Sequence, residues 1–457
     1  MMSILKKNWW VLIGILALMP GMVQAGEGSG ESRKALELTL RDAVELGLSQ
    51  NPKIKAMEFA IEKSRSETKS VRGRFFPRLS AGYSHTWLES IDATGPTDAD
   101  YLNQVQETWR VSLQQPLYAG KTILNTYLKA QIQEQAAGLE KENEERRLIR
   151  KIQEKFLQLL KAREDRRSLE QTVERLHISY QAAKAFVAQQ MAPYVEVLQA
   201  QVELENAQQK LSQAKNIESI SATELGSLLG LTEDLSVSYA GNLADIDLSR
   251  EVELSQCQQT ASQERIELKF IQTNIQLAEK EKQIADGQKL PRVNLQVNAV
   301  DYGRDYDKLG SDLFGRPYDR DQTNQYWTAG VSVEWNFFSG GEDYYRAQSM
   351  ENEIRRLERL LDDTTASIRT EVKSAYLRLQ EARQRVDATR YSLGTAGEGY
   401  RMEKKRLEMR VGTIQALLDA QDRLTRSDAN LNMAMLDYQL ALADLYYSMG
   451  IRNYALN

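Results

Sequence analysis

Hydrophobic residues along this chain follow two different rhythms. In four segments they fall on every second position. Leu79, Ala81, Tyr83, His85 and Trp87 alternate with Ser80, Gly82, Ser84 and Thr86, while Trp109, Val111, Leu113 and Leu117 alternate with Arg110, Ser112 and Gln114. Val293, Leu295, Val297 and Ala299 alternate with Asn294, Gln296 and Asn298, and Trp327, Ala329, Val331, Val333, Trp335 and Phe337 with Thr328, Gly330, Ser332, Glu334 and Asn336. Period two predicts strands with one set of side chains on each face. Elsewhere the steps are three and four. Ile149, Ile152, Phe156, Leu159 and Leu160 open a stripe that Leu169, Val173 and Leu176 continue amid Glu, Lys, Arg and Gln, which predicts a helix buried along one side.

Punctuation sets how far those helices run. The chain has eight prolines, and none lies in 117–192, 194–290 or 318–457. Proline costs about 3 kcal/mol inside a helix, so these gaps permit long ones, up to roughly 100 Å at ~1.5 Å per residue. Each helical stretch is interrupted once, at Met191-Ala192-Pro193-Tyr194 and at Val411-Gly412-Thr413-Ile414. Small residues, proline and glycine there predict a tight turn between antiparallel helices. A further helix opens each half. Leu40 to Gly73, passing through Asn51-Pro52, is matched by Leu254 to Asp286, and Thr39 or Asp42 is the expected N-cap of the first.

The two halves are repeats. Gly73-Arg74-Phe75-Phe76-Pro77-Arg78 returns as Gly287-Gln288-Lys289-Leu290-Pro291-Arg292, 214 residues on. Val111 to Gly120 returns as Val331 to Gly340 at an offset of 220, which holds to Leu229-Gly230-Leu231 and Met449-Gly450-Ile451. The expected organisation is a leader over 1–25, a first repeat over 26–231, a linker or equatorial segment over 232–253, and a second repeat over 254–457. Each repeat carries a β-hairpin (78–117 and 292–338) and a long helical hairpin turning near 191–194 or 411–414.

Each apolar strand face is about nine to eleven residues long, enough for one tilted bilayer crossing. Trp87, Trp109, Trp327, Trp335 and Phe337 lie near the ends, where an interfacial girdle would meet outer-membrane lipid. Four strands do not close a barrel, and open edges are not viable in lipid, so the barrel is expected to be shared among subunits. The long polar stretches Glu89 to Gln106 and Tyr302 to Gln325 read as external loops.

Composition narrows the compartment. Lys6 and Lys7, the apolar Val11 to Leu18 and Val23-Gln24-Ala25 read as a secretory leader cleaved after Ala25. The net charge of −5 becomes −7 once those two lysines leave, which argues against a nucleic-acid partner. The single cysteine, Cys257, excludes a disulfide framework and is expected in a helix interior. His85 and His177 sit in unrelated surroundings, and neither a metal signature, a phosphate loop nor a nucleophile–base set is present. The expectation is no enzyme, no metal and no cofactor.

The order of these segments resembles the TolC-type outer-membrane efflux proteins. The resemblance rests on Leu38-Thr39-Leu40-Arg41-Asp42-Ala43-Val44 running to Asn51-Pro52, and on Phe76-Pro77-Arg78 at the first strand. It rests also on Gln115-Pro116-Leu117-Tyr118-Ala119-Gly120 and Asn336-Phe337-Phe338-Ser339-Gly340-Gly341, and on Val411-Gly412-Thr413 followed by Leu418-Asp419-Ala420-Gln421. It implies a mixed α and β membrane protein: a homotrimer joining four transmembrane strands per chain into one outer-membrane β-barrel, continued by a periplasmic α-helical barrel. It implies a passive, gated exit duct for a tripartite pump, meeting a periplasmic adaptor and an inner-membrane transporter.

Asp419 matches the family's constriction acid, Asp422 lies on nearly the same helix face, and Gln199 holds the corresponding place in the first repeat. Only the second hairpin would then charge the constriction. Met191, Ala192, Pro193, Val411, Gly412 and Thr413 are the candidate adaptor contacts. Two rivals stand beside this reading: the exit duct of a type I protein secretion system, with the same fold, and a soluble periplasmic coiled-coil scaffold.

Overall fold

A computed structural model describes residues 36–90, 102–231, 237–245, 248, 252–306, 310–311, 317–318 and 322–453. The expected leader, most of the first loop, parts of the second loop and parts of the linker lie outside the described residues. In chain order the elements are β1 (Leu36–Leu38), α1 (Leu40–Gln50), α2 (Pro52–Arg72), β2 (Arg78–Ser90), β3 (Leu102–Ala119), α3 (Thr122–Ala188) and α4 (Tyr194–Leu229). Then follow β4 (Val237–Tyr239), α5 (Leu254–Glu264), α6 (Ile266–Gly287), β5 (Arg292–Tyr306), β6 (Gly310–Ser311), β7 (Pro317–Tyr318), β8 (Gln322–Glu334), α7 (Glu342–Glu408) and α8 (Ile414–Ser448).

The offset of 220 is kept to the residue in the helical hairpins. α3 and α7 both have 67 residues, about 100 Å, and both hairpins re-enter a helix at the matched positions Tyr194 and Ile414. The returning helices are only 36 and 35 residues long. Each long helix therefore runs beside two shorter ones: α3 packs on α2 and α4, and α7 on α6 and α8. α3 also packs on α6 and α8, which binds the repeats together.

The main core lies where these helices meet. Ile149, Ile152, Phe156, Leu159 and Leu160 are all buried there, against Leu225, Leu229 and Leu445. Cys257 is buried in the same cluster. The linker contributes β4, which pairs in parallel with β1, and Tyr239 packs edge-on against Phe156.

The opening helix of each repeat is two helices, not one. Thr39 caps α1 in a capping box with Asp42. At Asn51 the following proline excludes the helical region, and ψ swings to 124°. Arg265 adopts almost the same geometry, φ −64° and ψ 124°, with no proline after it. Its break comes from tertiary contacts. The Arg265 guanidinium pairs with Glu371 and Glu267 and donates to the Ser448 carbonyl at 3.1 Å, where Asn51 donates to the matching Leu228 carbonyl at 3.0 Å.

The four long strands form one antiparallel sheet in the order β2-β3-β5-β8. β3 and β5, one from each repeat, make the central seam, and β2 and β8 are its edges. β3 continues past Gln115 to Ala119 through an irregularity between Pro116 and Tyr118, because β5 pairs with it there. β8 stops at Glu334, so the second hairpin is shorter than the expected 292–338. Among the described residues Trp335 to Ser339 have no strand partner, and Trp335 and Phe337 lie beyond the strand.

Candidate pore and tip site

Both helical hairpins turn by the same device. The left-handed residues are Gln190 (φ 60°) and Arg410 (φ 64°). Met191 N–H reaches back to the Phe186 carbonyl and Gln190 N–H to Val187, and Val411 to Arg406 and Arg410 to Leu407 repeat the pattern. This is the Schellman arrangement, which satisfies the last helical carbonyls. Sequence reasoning placed the break on small residues, proline and glycine, and so missed Gln190 and Arg410. Their matched offset of 220 was the available signal.

At the tips Met191 and Val411 are exposed, as are Pro193 and Thr413, while Ala192 and Gly412 are half-buried. Thr413 also caps α8, accepting from Ala416 N–H at 3.2 Å. Gly412 does not have a positive φ. Its glycine is explained by packing, since a Cβ there would lie 3.0 Å from Leu407 N and 3.1 Å from Arg406 C. Exposed Tyr194, Val195, Leu198 and Val202 continue the apolar surface up α4 from the tip, and Met409 adds to it from α7's end.

The three candidate constriction residues come together. Gln199, Asp419 and Asp422 line one open groove of about 630 Å³ between α4 and α8. Asp419 is exposed and accepts from Gln415 at 2.8 Å, and Asp422 forms an ion pair with Arg426 at 2.7 Å. The groove also holds Glu203 and Lys210 of the first repeat. In this groove α4 therefore adds an acid and a base to the two acids of α8.

Directly above lies a polar ladder between the hairpins that the sequence did not reveal. Asp165, Ser168, Thr172 and Arg175 on α3 face Asn432, Asp428, Thr425 and Gln421 on α8. Asn432 donates to Asp165 at 3.0 Å, Ser168 to Asp428, and Arg175 to Gln421 at 3.0 Å, and the two threonine hydroxyls lie 3.2 Å apart. Gln421 is buried, so its partners fix the register of α8 on α3. Spacings of three and four on each helix were visible in the sequence, but the pairing was not.

The sheet register sorts the strand residues by face. Leu79, Leu113, Val297 and Ala329 share one row, and Ala81, Val111, Ala299 and Trp327 the next. The row after that, Tyr83, Trp109, Asp301 and Gln325, holds the first acid, with the Tyr83 and Trp109 rings 4.6 Å apart. Trp87 pairs with Val105 two rows further out, beside Asp305, so it does not share a level with Trp109. His85, one row below it, contacts Glu107 at 3.0 Å. At the other end Trp335 donates to the Lys289 carbonyl and stands 6.2 Å from Phe337.

Among the described residues no cluster of His, Cys, Asp or Glu is arranged to hold a metal, and no helix is long and apolar enough to cross a membrane. His177 is exposed on α3, away from His85 on β2.

Comparison with known proteins completes the description. A family model for outer membrane efflux protein matches residues 43–231 and 258–451, one stretch in each repeat. Among solved structures the fold is similar to CusC, described with transmembrane channel formation, at TM-score 0.75 and 14% identity, with 90% of this chain and 92% of that one covered. The outer membrane protein VceC of Vibrio cholerae gives 0.71 and 14%, covering 90% and 96%. The open-state MtrE outer membrane channel of Neisseria gonorrhoeae gives 0.70 and 16%, covering 95% and 98%. At such identities the likeness is one of fold. No curated protein sequence matches the chain.

Proposed function

The chain belongs to the outer membrane efflux protein family, and from that premise we infer that it is the passive exit duct of a tripartite efflux pump. Three chains join their sheets into one closed barrel in the outer membrane, and the helices extend into the periplasm as a second, α-helical tube. An inner-membrane transporter supplies the energy, and a periplasmic adaptor engages the two tip turns.

The observation that carries this reading is the sheet. It has an apolar face and two 13-residue edges, β2 and β8, unpaired among the described residues. Such edges cannot remain open in lipid, where every backbone group needs a partner. Pairing β8 of one chain with β2 of the next closes the barrel at twelve strands. The tips supply apolar contact surface in Met191 and Val411, and Ala192, Pro193, Gly412 and Thr413 shape the turns that present it. Asp419, with Gln199 and Asp422 beside it, makes the charged level at the periplasmic entrance. Trp109, Trp327, Trp335 and Phe337 bound the lipid belt, with Trp87 standing above it.

The test uses the full chain in cells, with a photo-crosslinking residue at Val411. The expected result is an outer-membrane oligomer of three chains, with a periplasmic adaptor crosslinked at the tip. A chain released as a monomer with the periplasm would exclude the reading. An outer-membrane trimer that crosslinks to nothing would remove the adaptor role from the tips.

A further inference from the structure

The two hairpin tips match in backbone and differ in charge. The stretch 401–410, at the end of α7, carries five cations (Arg401, Lys404, Lys405, Arg406 and Arg410) against Glu403 and Glu408. The matched stretch 181–190, at the end of α3, carries Lys184 and no acid. Lys184 stands over the Tyr180 ring, 4.4 Å from its centroid. At the second tip Arg401 pairs with Glu398, and Arg406 with Glu403 at 3.1 Å. Lys404, Lys405 and Arg410 are exposed and have no side-chain partner among the described residues, and Glu408 is the one unpaired acid beside them. None of the three lines the groove that holds Asp419 and Asp422.

The dipole at a helix C-terminus favours cations in the last turn. It does not require these, because α3 has the same 67 residues and the same turn, and its last turn holds no base. Arg410 stands past the end of α7 altogether. Nor does the surplus follow from composition, since the whole chain is acidic at −5. Met402, Lys405 and Met409 recur at steps of three and four, which puts them on one face of α7, and all three are exposed. Exposed Val411 carries that surface around the turn. The first tip exposes Met191, Tyr194, Val195 and Leu198, with Glu196 the single charge over 191–198. One tip is therefore apolar, and the other is apolar with a cationic rim. Exposed apolar surface rimmed by polar groups marks a protein contact, and charges at such a rim select the sign of the partner more than they set affinity.

We propose that the two tips seat unlike surfaces of the partner, and that the segment docked on the second tip is acidic and carries apolar side chains beside its acids. The inference rests on the duct reading, in which a periplasmic adaptor engages the tips. Carboxylates of the adaptor meet Lys404, Lys405 and Arg410, while Met402, Met409 and Val411 take its apolar side chains. The segment docked on the first tip is neutral and apolar. In the proposed trimer the two kinds of tip alternate around the entrance. An adaptor surface with acids therefore gains at every second contact only, and this fixes which adaptor surface meets which hairpin.

The test places a photo-crosslinking residue at Val411 or at Met191 of the full-length chain in cells and sequences the captured peptides by mass spectrometry. The peptide captured at Val411 should be net acidic around the crosslink, and the one at Met191 neutral. A neutral or basic peptide at Val411 would overturn the proposal. Capture at Val411 should fall about tenfold or more in the triple variant Lys404→Glu, Lys405→Glu, Arg410→Glu, where like charges meet, and about threefold in the matching glutamine triple. It should survive Lys404→Arg with Lys405→Arg. Lys184→Glu at the first tip should leave capture at Met191 within about twofold. If the cations serve only the end of α7, the glutamine triple will lower the melting temperature of the trimer and leave capture at its native level, which would also overturn the proposal. An assembled outer-membrane trimer that captures nothing at either tip would remove the adaptor contact, and the proposal with it.

Discussion

The seam between the repeats and the free edges of the sheet are built from the same sequence elements, and they differ in what they touch. At the seam, Gly120 ends β3 with φ 59° and lies against the chain just before β5. A Cβ on Gly120 would fall 2.1 Å from the Gly287 carbonyl oxygen, and one on Gly287 would fall 2.3 Å from that of Gly120. The repeat equivalents, Gly340 at an offset of 220 and Gly73 at 214, have nothing within 4 Å. Gly340 keeps the left-handed backbone, φ 65°, which by itself favours glycine, but it lacks the close neighbour that Gly120 has. Under the proposed trimer, the edges are a second seam whose other half lies on another chain. In the proposed trimer, Gly340 of one chain meets Gly73 of the next, and Trp335 to Ser339 gain the strand pairing that their counterparts Gln115 to Ala119 already have.

Valine substitutions at the two places separate the seams. Gly120→Val puts a side chain into backbone and forces a left-handed φ on a β-branched residue. It should cost several kcal/mol, on the order of 4 or more, and leave no folded chain in the outer membrane. Gly73→Val meets open space within the chain at an ordinary helical φ of −55°. It should leave the helical signal by circular dichroism intact while abolishing the heat-modifiable oligomer. If Gly73→Val assembled normally, the equivalence of seam and edge would be broken.

The equatorial breaks give a smaller contrast of the same kind. Arg265 is buried, with 8% of its side chain exposed, whereas Asn51 makes one long-range hydrogen bond. Burial works to lower the Arg265 pKa, but the Glu371 and Glu267 carboxylates outweigh it and hold the guanidinium above its ordinary value. Arg265→Ala removes charge-assisted bonds to two acids and a helix-end carbonyl, at about 3 kcal/mol. Asn51→Ala removes a cap and one bond, at about 1 kcal/mol. Urea unfolding of the detergent-extracted protein should rank the two in that order, and equal midpoints would show that the break is held by packing alone.

How far these features were readable follows from what each depends on. The strands, the long helices and the offset of 220 depend on periodicity and proline, which are local, and they were legible. The break before Pro52 was marked in the sequence, while the break at Arg265 depends on Glu371 and Ser448, about a hundred residues or more away, and nothing local announces it. Gln199, Asp419 and Asp422 were expected at one level and share a groove, but Glu203 and Lys210 join them because α4 lies against α8. The end of β8 at Glu334 could not be read from alternation, since Trp335 and Phe337 keep the period and lack only a partner.

The finest contrast is at the tips, where Gln199 and Asp419 occupy equivalent helix positions. Asp422 is already paired with Arg426, so Asp419 is the acid whose charge is least compensated on α8's side of the groove. Exposed carboxylates in high dielectric act weakly over distance, and their influence is screened within about 8 Å. Asp419→Asn should therefore change stability by less than about 0.5 kcal/mol. It should lower cation preference in planar bilayers modestly, by about twofold. Gln199→Asp should move selectivity the opposite way by a similar factor, because it places a second acid in the same groove. Equal and opposite shifts would show that the two repeats contribute symmetrically to the entrance. A response confined to Asp419 would show that the second hairpin alone sets its charge.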